Sequence, residues 1–152
     1  MEQIKPAENN QPTLTEMNAV IGVFDGYKLL EGNPDVTCWK CDTTEHPGAA
    51  CRCYQKYDRL QKDGAWCWPT ELLYHTSWDQ LMSIGEKIHG ILGDMLKNRP
   101  PNTCVPGDLI EVDIRCNIGE YNKLKAHRSM YDFIIWYNEY RKNLAAKSSI
   151  QQ

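Results

Sequence analysis

The chain lacks any apolar run close to the roughly 18 residues that a membrane-spanning helix needs. Its first twelve residues are polar and lack the apolar core of a signal peptide. A basic excess is missing as well, because 17 Lys and Arg residues stand against 20 Asp and Glu residues, a net charge of −3. Nucleic acids and anionic membranes usually bind basic surfaces. We therefore expect a cytoplasmic protein whose partner is neither a membrane nor a nucleic acid.

The sequence also lacks the common signatures of catalysis. Paired carboxylates, a glycine-rich phosphate loop and the HExxH metal motif are all absent. Cys104 and Cys116 are candidates for a Cys–His pair with His75, His89 or His127, but no local motif supports one. Cys116 is instead expected on a buried strand face, where a thiol behaves as a small hydrophobic group. We predict that the protein is not an enzyme, and a metal-dependent enzyme is the third of three functional hypotheses.

What the sequence does contain is typical of a single soluble domain. It has 152 residues, of which 41% are hydrophobic and 24% are charged, and this length suits one hydrophobic core. Residues 1–13 are polar and show no periodicity, so they are expected to form a disordered tail. The domain is predicted to cover residues 14–144, and residues 145–152 are expected to fray.

The strongest pattern is an apolar stripe that begins just after Ser77. Ser77 is a good N-cap, and Gln80 follows at the spacing of a capping box. The stripe recurs every three or four residues, which predicts a helix over residues 78–96 with one apolar face. Three glycines each weaken this helix by about 1 kcal/mol relative to alanine, so it either packs closely on something or breaks near its end. The stripe is Leu81, Ile84, Ile88, Ile91 and Met95, and the glycines are Gly85, Gly90 and Gly93.

Five further elements are predicted. Thr15 is expected to cap a short helix that stops at Gly26, and residues 27–30 are expected to form a short strand. Asp63-Gly64 predicts the turn of a hairpin. Apolar and polar residues alternate over residues 109–118, which indicates a strand with one buried face, and residues 129–144 carry the apolar face of a last helix. Because helices and strands do not alternate strictly, we predict an α+β fold, with a small, mostly antiparallel sheet packed with two long helices and one short N-terminal helix.

Four of the seven cysteines lie in one predicted loop, residues 36–57, in the pattern Cys-x2-Cys-x9-Cys-x-Cys. In a cytoplasmic protein, cysteines are expected to be reduced thiols or metal ligands rather than disulfides. Four thiolates would complete the tetrahedral shell of a zinc ion, and such a closed site is structural. A structural zinc ion is therefore the predicted cofactor, with free thiols and CxxC redox chemistry as the alternatives. The four residues are Cys38, Cys41, Cys51 and Cys53.

Five aromatic or imidazole rings occur within thirteen positions around the start of the long predicted helix. They are open to three interpretations. They pack in the core and at its edge, or form a protein-binding patch, or line a pocket where a helix N-terminus accepts a nucleotide phosphate. The candidate binding residues are Trp66, Trp68, Tyr74, His75 and Trp78.

Residues 75–82 (HTSWDQLM), 86–88 (EKI) and 133–139 (FIIWYNE) resemble a family of small uncharacterised proteins of Bacteroides-type bacteria and of their phages and prophages. The family pattern is HSSWDWLM at a helix start, EKI further along that helix, and FIxWYN near the C-terminus. The opening over residues 17–27 is similar too, with an apolar helix that ends in a glycine before an aromatic residue. The resemblance covers most of residues 17–142 and implies a layout like the small phage α-β-α sandwich domain.

Two features depart from that family. Gln80 stands where the family usually has a second tryptophan, and the cysteines of residues 38–53 are not a family feature. The resemblance therefore implies neither an activity nor a metal site. We expect a phage-type or prophage-type accessory protein that acts by binding, with another protein or a second copy of itself as the partner. A small-ligand protein that binds or sequesters a nucleotide, for example in counter-defence, is the alternative.

Overall fold

The computed structural model describes residues 11–30, 59–67 and 71–150. Its elements follow one another along the chain as a short helix, three short strands and three longer helices. Their bounds are α1 Leu14–Phe24, β1 Lys28–Leu30, β2 Arg59–Lys62, β3 Ala65–Cys67, α2 Trp78–Lys97, α3 Pro106–Gly119 and α4 Lys123–Ile150.

The described part of the chain is mostly helical, so the prediction of an α+β fold with a packed antiparallel sheet is wrong. The three strands pair antiparallel in the order β1-β2-β3, but each is only three or four residues long. Helix α4 packs against α1, α2 and α3, and these helix contacts form most of the core. The strands thus form a small sheet beside the helices, with Leu60 of β2 packed into the common core, and are not the layer on which the long helices pack.

Helix α3 replaces the strand that was predicted over residues 109–118. Pro106 occupies the first helical position, where its missing N–H is not needed. The Asp108 carboxylate accepts the backbone N–H of Val105 at 2.9 Å and two hydrogen bonds from Arg99 at 2.8 and 3.1 Å. The Arg99 hydrogen bonds hold the pKa of Asp108 down at about 2. These contacts fix the start of the helix.

The alternation over residues 109–118 misleads because it contains a helical pattern. Ile110, Ile114 and Ile118 are four residues apart, so they share one helix face, and all three join the core. Val112 belongs to the same alternating set and is 47% exposed. Cys116 is exposed as well, which corrects the expectation that its thiol is buried on a strand face. A strand repeat of two residues and a helical spacing of four residues select the same side chains at every second position of this set. Packing against α4 therefore decides between strand and helix.

Other local predictions are confirmed with small shifts. Helix α1 begins two residues earlier than a Thr15 cap predicts, because Thr13 is the N-cap and forms a capping box with Glu16. Ser77 caps α2 by accepting the backbone N–H of Gln80 at 3.4 Å. The hairpin between β2 and β3 turns at Asp63-Gly64, where both residues have positive φ, as a type I′ turn requires.

Helix α4 is longer than the predicted helix over residues 129–144. It begins at Lys123, where the Asn122 side chain accepts the backbone N–H of Lys125 at 3.1 Å and acts as the N-cap. It continues to Ile150, and every residue from Arg141 onward is exposed. None of the helices in the described part of the chain combines the length and the apolarity that crossing a bilayer requires.

The core lies where α4 meets the inner faces of α1, α2 and α3. The predicted stripe of α2 is confirmed, because Leu81, Ile84 and Ile88 are fully buried and Ile91 and Met95 pack at its edge. The buried hydrophobic cluster comprises Ile21, Leu60, Leu72, Tyr74, Leu81, Ile84, Ile88, Leu92, Ile114, Met130, Phe133 and Ile134.

Candidate functional site

The structure separates the residues that the sequence grouped as candidates. The four cysteines Cys38, Cys41, Cys51 and Cys53 and the indole of Trp68 lie outside the described residues. The backbone of Trp66 is in β3, paired with Gln61. The remaining three candidates, Tyr74, His75 and Trp78, lie on a short connection that leads into α2, and each has a different environment.

Tyr74 is buried and belongs to a charged cluster around Asp25. Its hydroxyl donates to Asp25 Oδ2 at 2.8 Å, and the ammonium groups of Lys62 and Lys87 also contact that carboxylate. Burial alone would raise the pKa of Asp25, but the hydrogen bonds from Lys87 and Tyr74 and the charges of both lysines outweigh it, so the pKa is lowered. Burial and the Asp25 carboxylate raise the pKa of Tyr74. Tyr74 therefore ties the connection to α1, β2 and α2 and is not available to a ligand.

His75 belongs to a second polar cluster, which is organised by the side-chain amide of Asn18. The Asn18 Nδ2 group donates to the carbonyl of Leu72 at 2.7 Å and faces His75 Nδ1 at 3.0 Å. The Asn18 Oδ1 atom lies 2.8 Å from His127 Nε2. Because the Leu72 carbonyl can only accept, the amide orientation is fixed, so His127 Nε2 carries a proton and His75 Nδ1 does not. This network, which we call the amide junction, joins α1, the connection and α4.

His127 is completely buried in the amide junction. Burial, together with the neighbouring His75, lowers the pKa of His127 to about 4. The two imidazole rings meet edge to face with centroids 5.7 Å apart. At neutral pH the junction therefore contains a neutral imidazole whose single N–H is donated to Asn18. This arrangement is suited to holding three segments together and not to proton transfer with a solvent-borne substrate.

Trp78 stands apart from these clusters because it reaches the surface. Its ring meets the ring of Tyr121 edge to face, with centroids 6.5 Å apart and planes at 90°. The ammonium of Lys123 lies 5.9 Å from the Trp78 ring centroid and donates to the carbonyl of Thr76 at 3.1 Å. We call Trp78, Tyr121 and Lys123 the aromatic corner. It joins the start of α2 to the turn between α3 and α4.

Tyr121 is held in an unusual backbone conformation at the end of α3. Its N–H donates to Ile118 O, and the N–H of Asn122 donates to Asn117 O, which is the Schellman pattern of helix termination. Position 121 is then the C′ residue, and its φ is +55°. Glycine is favoured at C′ because the left-handed region costs other residues roughly 1 kcal/mol or more. The Tyr121 side chain is nevertheless 83% exposed.

The remaining cysteine and histidine candidates do not form a reactive pair in the residues that the structure describes. Cys104 and Cys116 are exposed, and burial raises the pKa of the Cys67 thiol, which makes it a weaker nucleophile. His89 faces Glu111 at 3.4 Å. Within residues 11–30, 59–67 and 71–150, no three His, Cys, Asp or Glu side chains are grouped as a metal site would require.

Sequence reasoning missed Asn18 and Tyr121 and named His127 only as a candidate partner of a cysteine. Asn18 and His127 are polar residues at buried positions of apolar helices, and this mismatch between residue type and face was the available signal. Their partnership spans 109 positions of the chain, so no local pattern reveals it. Tyr121 offered no signal, because its C′ position exists only if residues 106–119 form a helix. No family model, no curated protein and no solved structure matches this chain.

Proposed function

We propose that this protein is a non-enzymatic accessory protein of phage or prophage type that acts in the host cytoplasm by binding another protein, with a second copy of itself as one candidate. The resemblance over residues 75–82 and 133–139 supports the origin. The aromatic corner supports the mode of action, because an exposed Tyr beside a half-buried Trp and a cation is typical of the anchors of protein interfaces.

The observation that carries the proposal is the combination of backbone strain and exposure at Tyr121. A residue that is retained for stability alone would be glycine or asparagine at this C′ position. Tyrosine costs stability there and leaves its ring in solvent, where the ring contributes little to folding. Strained residues persist where function requires the side chain. An exposed aromatic ring that packs edge to face against Trp78 is well placed to contact a partner protein.

The test places a photo-activated cross-linking amino acid at Leu124, which is exposed and follows Lys123, so that the aromatic corner stays intact. The matched control carries the same group at Leu109, which is exposed on α3. We expect a discrete protein adduct from position 124 in expressing cells, absent from position 109 and lost when Tyr121→Gly or Trp78→Ala is added. Identical adducts at both positions, or an adduct unaffected by both substitutions, would contradict the proposal.

The nucleotide-binding alternative is separated by a thermal-shift series. Asp79 places a negative charge in the first turn of α2, next to the N–H groups that would receive a phosphate. This charge favours a protein partner over a nucleotide at that end of the helix. A nucleotide that raises the melting temperature in a dose-dependent way, and does so less with Trp78→Ala, would favour the alternative. No shift with any nucleotide is the result that the protein-binding proposal expects.

A structural zinc ion on Cys38, Cys41, Cys51 and Cys53 is a separate part of the proposal. The chemistry of four thiolates in a short segment supports it. Elemental analysis of freshly reduced, untagged protein should give one zinc per chain, and Cys38→Ser should lose both the metal and stability. Metal-free protein with unchanged stability would leave these residues as free thiols.

A further inference from the structure

A continuous groove runs along the side of the molecule between α1, α2 and α4, far along α2 from the aromatic corner. It consists of three adjoining cavities of about 540, 470 and 420 Å³, and Ile91 lines all three. Phe24 and Val20 of α1 form one wall, and Tyr137 of α4 forms the other. Along α2 it extends from Lys87 to Asn98, a length of about 16 Å, or three helical turns.

Helix α2 presents a bare backbone at the edge of this groove. A methyl group added at Gly85 would touch Met130 at 3.5 Å, but one added at Gly90 or Gly93 would meet no atom of the described chain within 4 Å. Glycine in a helix costs roughly 1 kcal/mol relative to alanine. Gly90, which lines the groove, therefore has no packing reason within the described residues. A glycine at such a place allows another backbone to approach closely.

The charges that line the groove are paired, with one exception. Asp25 is paired with Lys62 and Lys87, and Asp94 is paired with Lys97. Arg99, at the far end, is paired with Asp108. Arg141 lies over the Tyr137 ring at 5.9 Å and has no acidic partner within the described part of the chain. The groove thus has apolar walls and an excess of positive charge, because Asp25 faces two lysines and Arg141, at the junction of the two larger cavities, has no acidic partner within the described residues.

We propose that this groove is a second interaction surface, and that it receives an amphipathic helix of a different protein, which presents apolar side chains and a carboxylate that pairs with Arg141. The length, the apolar walls and the bare backbone of Gly90 fit a helix of about three turns with apolar residues at helical spacing. The proposal builds on the function proposed above, namely that the protein acts by binding, but it uses another face of the molecule.

A second copy of the chain is a poorer match to the groove. The exposed end of α4, residues 141–150, is the described helical segment that is free to reach a neighbour. It carries Arg141, Lys142 and Lys147 and no acidic residue. Inserted into another copy's groove, it would bring further positive charge to Arg141, which is unfavourable, and it supplies no carboxylate. We therefore assign the occupant of the groove to another protein.

The test selects binders from a displayed library of helical peptides of about 14 residues whose exposed positions are randomised. The full-length protein is the bait, and the Gly90→Leu variant is used for counter-selection. Leucine is a good helix former, and a Cβ at position 90 meets no described atom within 4 Å, so the larger side chain is expected to occupy the groove edge. Gly93→Leu is the matched control, because Gly93 is on the same helix and does not line the groove.

We expect selected peptides with apolar residues at helical spacing and one Asp or Glu. Their affinity should fall about tenfold or more with Gly90→Leu or Arg141→Glu and stay unchanged with Gly93→Leu. A peptide with Lys in place of its acid should prefer Arg141→Glu. Tyr121→Gly should leave peptide binding intact, so a failure here is distinct from a failure at the aromatic corner.

Three results would overturn the proposal. The first is a selection that yields no peptide able to distinguish the wild-type protein from Gly90→Leu. The second is a set of peptides that lack an acidic residue or bind Arg141→Glu as well as the wild type. The third is self-association that Gly90→Leu abolishes, which would assign the groove to a second copy of the chain.

Discussion

Two helices of this protein end in the same Schellman motif, but its left-handed C′ position is a glycine in one helix and a tyrosine in the other. Helix α1 ends with the N–H of Gly26 donating to Val23 O and that of Tyr27 donating to Gly22 O, and Gly26 has φ +104°. Helix α3 ends with the corresponding bonds, but the left-handed residue is Tyr121. The C′ residue of α1 is thus the type that favours stability, whereas the C′ residue of α3 is a type that costs stability.

The surroundings of the two ends differ in the same way. Near α1, unusual residues have a structural reason: Asn18 bridges three segments, and His127 fills a buried position with its N–H donated. At the end of α3, Tyr121 is exposed and strained. We therefore propose that Tyr121, which costs stability and is 83% exposed, belongs to an interaction surface, whereas Asn18 and His127 belong to the packed framework.

The largest effect is expected at the amide junction. Asn18→Ala leaves the Leu72 carbonyl and the His127 N–H buried without their partner, and should lower the free energy of unfolding by about 2–4 kcal/mol. Asn98→Ala is the control, because its exposed side chain makes one bond to Asp94 O at 3.3 Å. It should change stability by less than about 0.5 kcal/mol. Equal losses of unfolding free energy for Asn18→Ala and Asn98→Ala, measured in urea, would contradict a special structural role of the amide junction.

A single substitution should have opposite signs at two glycines. A methyl group at Gly107 would overlap the ring of Trp136, which is packed against Phe133 and Tyr140, so Gly107→Ala should destabilise the protein by about 2–3 kcal/mol. Gly90→Ala should stabilise it by up to about 1 kcal/mol. Denaturation of the two variants checks this contrast. The double variant Gly107→Ala with Trp136→Leu should recover part of the lost stability. Destabilisation by Gly90→Ala would show a packing role for that glycine.

Acid should weaken the amide junction before it affects the carboxylates. The pKa of His127 is about 4 in the native protein against an ordinary value of 6.5, so between these pH values the unfolded chain binds a proton that the native protein excludes. Stability is then fully present above pH 6.5 and is lost as pH falls toward 4, by about 2–3 kcal/mol in total. His127→Gln keeps a donor for Asn18, so its stability should depend less on pH in this window. Parallel pH profiles for the two proteins would contradict the assignment.

Gly26→Ala tests how much stability a side chain costs at the C′ position of α1. A φ of +104° is unfavourable for any residue with a Cβ, so the substitution should cost about 1–2 kcal/mol. Gly119→Ala is the control, since Gly119 is helical and an added methyl group there meets no described atom within 4 Å. It should be neutral or stabilising. Similar thermal stabilities for both variants would mean that the backbone at residue 26 relaxes.

Much of the helical framework was predictable from local sequence. Ser77 and the stripe behind it predicted α2 almost residue for residue, because a cap and an apolar period act within a few turns. Asp63-Gly64 predicted its turn for the same reason. The strand predicted over residues 109–118 was wrong because two periods coincide there. The close approach of Gly107 of α3 to Trp136 of α4 involves residues far apart in sequence, so no local pattern reveals it.

The candidate sites were less predictable than the fold. Tyr74 and His75 were chosen for their ring chemistry, but buried partners on α1 hold both of them. Trp78 is half-buried next to Tyr121, and its role in binding stays a prediction. The role proposed for Tyr121 follows from the end of a helix where the sequence pattern predicted a strand. Contacts that depend on packing between distant segments thus set the limit of local inference.

The central claim is that Tyr121 is kept for binding in spite of its cost to folding. The most direct test measures the urea unfolding of Tyr121→Gly together with the partner adduct formed from position 124. The account predicts a gain in stability of about 0.5–1 kcal/mol, because the strain at C′ is relieved, and a loss of the adduct. A variant that is less stable than the wild type, or one that is more stable and still forms the adduct, would contradict it.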